Sequence, residues 1–164
     1  MRAVATGNNQ SCAVLKDGRL RCFGPNPYGE IGVPGAQERI GDDELAGSLP
    51  PLAFPEPVRS VDVSFRHSCA LTEGGQLYCF GEGLYGKLGY GSTENIGDDE
   101  WPSEAGPVPL PEPAIQVALG KFSTCALLQG GQVRCWGRCS AARWHRSAAR
   151  HWPGPGRRDG FRGW

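Results

Sequence analysis

Short apolar runs alternate with glycine-containing polar turns along most of the chain, a pattern that predicts β-strands and hairpins. The clearest example covers residues 67–81, where an apolar run is followed by the turn Glu73-Gly74-Gly75 and by a second run of alternating polarity. If Leu71 pairs with Leu77, then Thr72 lies opposite Gln76 and the loop is the three residues 73–75. The last position of such a loop is left-handed and suits glycine. The sequence therefore predicts a tight hairpin with Gly75 at its turn.

The same hairpin occurs three times, because residues 10–24 and 123–137 repeat the pattern of residues 67–81. The first cysteines of successive copies are 57 and 56 residues apart, and a nearly fixed interval of this length indicates a repeat architecture. The first strand is apolar on both faces, as in Cys12-Ala13-Val14-Leu15, so its sheet must be covered on both sides. Stacked blades of a β-propeller supply that environment.

About four short strands are predicted in each repeat, which fits one propeller blade. We therefore expect an all-β fold of about two and a half four-stranded antiparallel blades, an incomplete propeller. The predicted divisions are a first blade at residues 1–57, a second at 58–113, a partial third at 114–137 and an irregular, disordered arginine-rich tail at 138–164.

Each predicted hairpin carries two cysteines 10 residues apart, which would face each other across the strands. This spacing is too wide for a CxxC redox or zinc motif. The pairs are either disulfides or small buried apolar side chains, and their repetition favours disulfides in an oxidising compartment, extracellular or in the cell envelope. The candidate pairs are Cys12 with Cys22, Cys69 with Cys79, and Cys125 with Cys135, whereas Cys139 is expected to stay unpaired.

Further motifs recur in register with the hairpins: G-x-x-H-[ST]-x-A-L, then G-x-[LV]-x-x-[FW]-G, then G-x-L-G. This pattern resembles the regulator of chromosome condensation repeat family, and the resemblance implies blades of a propeller that usually has seven. It covers residues 1–137, and the paired cysteines and the Ile-Gly-Asp-Asp-Glu insert resemble the bacterial, exported branch. The motif histidine is present as His67 but is replaced by Gln10 and Ser123.

The Ile-Gly-Asp-Asp-Glu motif follows the hairpin in the first two repeats. Its carboxylates are compatible with a weak calcium site, although an EF-hand would need ligands at alternate positions across about 12 residues. Turn formation and loop solvation explain adjacent aspartates equally well. The residues concerned are Asp42, Asp43 and Glu44 in the first repeat and Asp98, Asp99 and Glu100 in the second.

Charge divides the chain unequally, although its formal net charge is zero. Residues 1–137 contain 10 Lys or Arg and 16 Asp or Glu, whereas residues 138–164 contain 7 Arg and 1 Asp. The tail, which also loses the repeat register, fits either an Arg/aromatic arm for nucleic acid or an out-of-frame gene end. The second interpretation is favoured because the repeat stops within a blade, so a nucleic-acid partner is not expected.

No apolar run is long enough for a membrane span, and the N-terminal residues lack the apolar region of a signal peptide. We therefore expect no membrane partner.

The predicted function is a non-catalytic scaffold for protein–protein interaction within a larger propeller, because blades present loops on a rigid face. The expected partners are a protein or further blades, with no cofactor and no metal. His67 is expected to make a structural hydrogen bond rather than to act as a catalytic base. The alternatives are a propeller-based hydrolase or lyase, with Asp42 and Asp98 as the repeated candidates, and a nonfunctional gene fragment. The nucleotide-exchange activity known in the family is not carried over.

Overall fold

A computed structural model describes residues 2–36, 39–43, 45 and 47–138. These residues form ten β-strands and one short 3-10 helix. The strands are β1 (Ala3–Thr6), β2 (Ser11–Val14), β3 (Leu20–Pro25), β4 (Arg39–Ile40), β5 (Val58–Val63), β6 (His67–Thr72), β7 (Leu77–Gly81), β8 (Ala114–Leu119), β9 (Ser123–Leu128) and β10 (Val133–Gly137). The 3-10 helix, at Leu84–Gly86, follows β7.

The strands form three antiparallel sheets, which we term the first, second and third blades. The first blade has the order β1-β2-β3-β4, the second β5-β6-β7 and the third β10-β9-β8. A bridge between Gly81 and Ile96 adds a short fourth segment to the second blade. The predicted all-β architecture of antiparallel propeller blades is confirmed. The predicted tail lies, from residue 139 onwards, outside the described residues, and so does Cys139.

The three hairpins have the same strand-pairing register and the same type of turn. In the second blade, Leu71 lies opposite Leu77 and Cys69 opposite Cys79, as predicted. Gly75 has a φ of +83°, and the equivalent Gly18 and Gly131 have φ values of +84° and +83°. Because this conformation is left-handed, a residue with a side chain would be strained at each turn.

All three predicted cysteine pairs are disulfides, and each has its Cα atoms 4.1 Å apart. In the second blade the amide of Thr72 donates to Gln76 O at 2.9 Å, so Thr72 and Gln76 form a hydrogen-bonded pair. Successive pairs in an antiparallel ladder alternate, which makes Cys69 and Cys79 a non-hydrogen-bonded pair, the type with the closer backbones. Position in the ladder therefore brings each cysteine pair within bonding reach.

Two hydrophobic cores lie between the blades rather than within any one of them. Val14 and Leu20 of the first blade share a core with Val61 and Phe80 of the second, and all four are at most 9% exposed. The second core joins the second and third blades through Cys69, Leu71, Leu77, Cys79, Ala126 and Leu128. Each blade thus buries an apolar face only against its neighbour, as the two-sided apolar strand predicted.

Proline-bracketed linkers connect the blades and hold the hairpin turns. A Cβ atom at Gly18 would lie 2.4 Å from Pro57 Cβ, and one at Gly75 would lie 2.6 Å from Pro113 Cβ. Before the second blade, Glu56 accepts hydrogen bonds from the Gly74 amide and from Thr72 Oγ1, both at 2.9 Å. Gly18 and Gly75 are therefore required for inter-blade contact as well as for the hairpin.

Candidate interaction surface

The loops that precede the second strand of each blade lie at the end opposite the hairpin turns. In the second blade this loop contains Phe65 and Arg66, and in the third it contains Lys121 and Phe122. A tyrosine recurs near these loops after the third strand. The surface formed by these groups, which we term the cation–aromatic ridge, comprises Tyr28, Phe65, Arg66, Tyr85, Lys121, Phe122 and Arg138.

Cations and aromatic rings alternate along the ridge. The Arg66 guanidinium lies 4.8 Å from the centre of the Tyr28 ring and 5.0 Å from that of Phe65. Lys121 Nζ lies 4.7 Å from the Phe65 ring centre and 5.1 Å from that of Phe122. Such contacts hold long cationic side chains in place with about 0.5–1 kcal/mol each at exposed sites.

The ridge continues across the third blade. The Phe122 ring meets Tyr85 edge to face, with centroids 5.5 Å apart. The Arg138 guanidinium lies 5.1 Å from the Tyr85 ring centre and donates to Tyr85 Oη at 3.1 Å. The backbone amide of Arg138 also donates to Phe122 O at 2.8 Å. The ridge therefore joins residues of all three blades into one contiguous surface.

Two ridge residues have strained backbones. Arg66 and Tyr85 have φ values of +59° and +65°, in the left-handed region that residues with large side chains rarely occupy. Residues held in this region cost about 1–3 kcal/mol and persist where the surroundings enforce them, often at binding sites. The strain makes this surface a candidate for function.

A buried ion pair supports the ridge from below. The side chain of Lys87 is fully buried, and its Nζ lies 2.6 Å from Glu82 Oε2. Lys87 Nζ also donates to Phe65 O at 3.1 Å, and Arg66 Nη1 lies 3.3 Å from the other oxygen of Glu82. Burial lowers the pKa of Lys87, while hydrogen bonding to Glu82 acts in the opposite direction. The ion pair thus fixes the loop that carries Phe65 and Arg66.

His67 makes a structural contact between blades. His67 Nε2 lies 3.1 Å from Thr124 Oγ1 of the third blade, and its Nδ1 lies 3.3 Å from Phe65 O, a carbonyl that accepts. Burial, followed by the charge of Lys87, lowers the pKa of His67 to about 4. The imidazole is therefore neutral near pH 7 and serves as a hydrogen-bond donor inside the fold, as the sequence predicted.

Gln10 occupies the position of His67 in the first blade and makes the equivalent inter-blade contact. Its Nε2 donates to Ser68 Oγ at 2.9 Å and to the backbone oxygen of Glu30. Glu30 is 2% exposed, and burial raises the pKa of its carboxyl group. The amide of Tyr28 donates to Glu30 Oε2 at 2.7 Å, which anchors this end of the ridge.

The acidic motifs differ between the two repeats. The carboxylates of Asp98, Asp99 and Glu100 lie within 4.8 Å of one another. Burial, together with the neighbouring Asp99 and Asp98, raises the pKa of Glu100 to about 7. In the first repeat Glu44 lies outside the described residues, Asp42 and Asp43 are both exposed, and Asp42 forms a 3.8 Å ion pair with Arg39. The expectation of no metal at either motif stays a prediction.

The repeated aspartates do not assemble an acid–base site with His67. Asp42 lines an open pocket of about 390 Å³ with Ser11, Phe23 and Arg39, and no histidine or second carboxylate lines it in the described part of the chain. Asp98 contacts Asn95 instead.

Among the residues that the structure describes, no helix is long and apolar enough to span a membrane.

Antiparallel sheets stacked through inter-blade cores define blades of a β-propeller. The profile described as "Regulator of chromosome condensation (RCC1) repeat" matches residues 1–30, 58–87 and 114–138, and the chain belongs to this repeat family.

Two relatives and one solved structure place the repeats in longer proteins. E3 ubiquitin-protein ligase MYCBP2 of Danio rerio is 38% identical over 109 residues, which are 63% of this chain and 2% of that protein. Guanine nucleotide exchange factor SRM1 of Saccharomyces cerevisiae is 30% identical over 148 residues, 84% of this chain and 30% of that one. Yeast RCC1 (Prp20), solved with Kap60 bound, is 26% identical with a TM-score of 0.60, and the match covers 82% of this chain and 31% of that one. The chain thus spans less than a third of each of these proteins.

Proposed function

We propose that this chain is a non-catalytic scaffold, part of a larger propeller, that binds a protein partner through the cation–aromatic ridge. The observation that carries the proposal is the arrangement of the ridge, in which exposed cations lie on aromatic rings and a buried ion pair holds the loop beneath them. Tyrosine and arginine are enriched among the residues that dominate protein–protein binding energy.

Preorganisation supports this role. Arg66 contacts two rings and Glu82, so little side-chain freedom is left to lose when a partner binds. Each immobilised flexible side chain otherwise costs about 0.5–1.5 kcal/mol of binding free energy. A ridge that is already ordered therefore presents a better surface than free lysines and arginines would.

The relatives support a scaffold more than any single activity. They include a ubiquitin ligase, an exchange factor and a propeller with Kap60 bound. Because the repeats are only a small share of the ligase, the shared element is the repeat and not one chemistry. Further blades, packing on the free faces of the first and third blades, are the other partners that we propose. Three disulfides favour an oxidising compartment for the parent protein.

The test is to identify a protein that binds the chain and then to measure amide hydrogen exchange in the complex. Proteins captured on the full chain from an extract of its source would be purified and mixed with it as binary pairs. The proposal expects a stoichiometric complex in which residues 64–66, 84–86 and 120–122 gain protection from exchange. Protection confined to the hairpin turns at the opposite end, or no binary complex at all, would contradict it. Turnover of a hydrolase or lyase substrate by the purified chain would contradict the non-catalytic part.

A further inference from the structure

We propose that the cation–aromatic ridge recognises an acidic segment of a protein, an inference that rests on the proposed function and names the chemistry of the partner. The two cations that carry it are Lys121 and Arg138, which are both exposed. Neither forms an ion pair with a carboxylate of the described residues.

Charge is distributed unevenly along the ridge. The cations of Arg66 and Lys87 share the carboxylate of Glu82, so that cluster is largely compensated. The polar and cation–π partners of Lys121 and Arg138 within the described residues are aromatic side chains and the backbone. Their charge is therefore available to a ligand. It stands out because residues 1–137 are acidic overall, with 10 Lys or Arg against 16 Asp or Glu.

The geometry fits carboxylates. Lys121 Nζ lies over two rings, Phe65 and Phe122, and no hydrogen bond occupies its three N–H donors within the described residues. One guanidinium nitrogen of Arg138 donates to Tyr85 Oη, which leaves donors that can pair with a carboxylate through two parallel hydrogen bonds. Phe122 and Tyr85, in edge contact, place the two cations on neighbouring rings.

The same contacts disfavour single-stranded nucleic acid. Bases bind by stacking on open aromatic faces. Here the rings of Tyr28, Phe65 and Tyr85 each have a cation over one face, and Phe122 packs edge to face against two of these rings at interplanar angles of 82°. A short acidic peptide needs only the cations, whereas a nucleic acid would also need the ring faces.

Site-specific cross-linking tests the proposal on the full chain. The sequence contains only three lysines, Lys16, Lys87 and Lys121, and none lies in the arginine-rich tail. A carbodiimide joins a carboxylate to an amine without a spacer, so an N-acetylated oligoglutamate peptide will mark the lysine that it touches. We expect cross-links at Lys121 and not at Lys16, which is exposed at the opposite end, while Lys87 is buried.

Matched variants measure the contribution of the two cations. Lys121→Glu/Arg138→Glu should weaken binding of the labelled peptide about tenfold or more, because two attractive pairs become repulsive. Lys16→Glu/Arg19→Glu makes the same change of charge at the opposite end and should alter binding by less than about twofold. Should the reversed variant fail to fold, Lys121→Gln/Arg138→Gln removes the same charges without repulsion and should weaken binding less, but in the same direction.

Several outcomes would overturn the proposal. Equal cross-linking of Lys16 and Lys121 would mean that the peptide has no preferred site. Equal losses in the two double variants would mean that only overall charge matters. Tighter binding of an oligothymidylate of the same length through Lys121 and Arg138 would assign the ridge to nucleic acid. If a partner protein protects the ridge from exchange but the peptide does not reach Lys121, the acidic-segment proposal fails while the scaffold stands.

Discussion

The buried ion pair between Glu82 and Lys87 offers the sharpest test of how this fold is held together. Replacing Glu82 with Gln removes the negative charge that lies 2.6 Å from Lys87 Nζ and leaves a fully buried ammonium with only neutral oxygens as partners, Phe65 O and that of the new amide. Removing one member of a buried ion pair costs about 3–5 kcal/mol, because the other charge stays desolvated. For a chain of this size such a loss corresponds to a fall of roughly 10–20 °C in melting temperature.

Thermal and urea unfolding of the full chain would measure the effect against a matched control. Glu73→Gln breaks an exposed ion pair, in which Arg2 lies 3.0 Å away and the Glu73 side chain is 51% exposed, and should cost less than about 1 kcal/mol. Lys87→Met should be milder than Glu82→Gln, since Arg66 still pairs with the carboxylate. Equal melting temperatures for Glu82→Gln and Glu73→Gln would refute the reasoning.

The pH dependence of the variant adds a second readout. Burial lowers the pKa of Lys87 in the folded chain, and loss of Glu82 removes the group that raises it most. Between the folded pKa and the unfolded value the unfolded chain binds more protons, so stability rises with pH in that window. Glu82→Gln should therefore regain stability towards alkaline pH more than the parent chain does.

Three further predictions test other parts of the fold. The pKa of His67 is about 4 against 6.5 unfolded, so the unfolded chain binds more protons between these values and stability should fall by about 3 kcal/mol as pH drops through them. His67→Gln should abolish this slope in urea unfolding across the same pH range. Under limiting reductant, Cys125 and Cys135 should be alkylated first, because Cys135 is exposed whereas the disulfide of the second hairpin is fully buried. Gly75→Ala should lower the melting temperature more than Gly131→Ala, since both share the left-handed turn but, among the residues that the structure describes, only Gly75 meets a linker proline.

Each of these has a distinct contrary result. An unchanged pH dependence of stability in His67→Gln would mean that a group other than His67 causes it. Simultaneous alkylation of all three disulfides would mean that exposure does not control reduction. Equal melting of the two glycine variants would mean that the linker contact contributes nothing beyond the turn.

The hairpins could be predicted from the sequence because everything that fixes them is local. A glycine at the last loop position sets the turn, and the loop length then fixes which residues face each other. That register predicts Cys69 opposite Cys79, which is where the structure has them. Repetition extended the same inference to the other copies, and the apolar character of both strand faces predicted stacking between blades.

The ridge could not be predicted in this way, because its contacts join residues of different repeats. The second repeat has Phe65 followed by Arg66, whereas the third reverses the order with Lys121 followed by Phe122. No fixed motif therefore marks the surface, and only inter-blade packing brings the cations over the rings. The recurrence of tyrosine at positions 28 and 85 was the one signal that could have pointed to it.

The buried ion pair was hidden for a related reason. Glu30 and Lys87 occupy equivalent positions in the Gly-x-Ile/Leu-Gly motif and carry opposite charges. A position that accepts either charge indicates a solvent-exposed loop. In the structure Glu30 is 2% exposed and Lys87 is fully buried. The third blade packs over Lys87, since Thr124 and Trp136 both donate to its backbone oxygen. Tertiary packing, not local pattern, decides that burial.

The two outer blade faces lead to the last prediction, that this chain self-associates. At the blade junctions Val61 and Leu77 are 9% and 0% exposed, whereas the equivalent outer residues Val4 and Val133 are 62% and 56% exposed. Burying such a side chain gains about 1.5–3 kcal/mol, so one outer face should pair with another through the same kind of core. Light scattering on the full chain should show species larger than a monomer, and Val4→Lys/Val133→Lys should shift them towards the monomer while the chain stays folded. Leu45→Lys, at a residue that is 83% exposed away from either blade core, is the control and should change nothing. A strictly monomeric parent chain with a sharp cooperative melt would show that these faces need no cover.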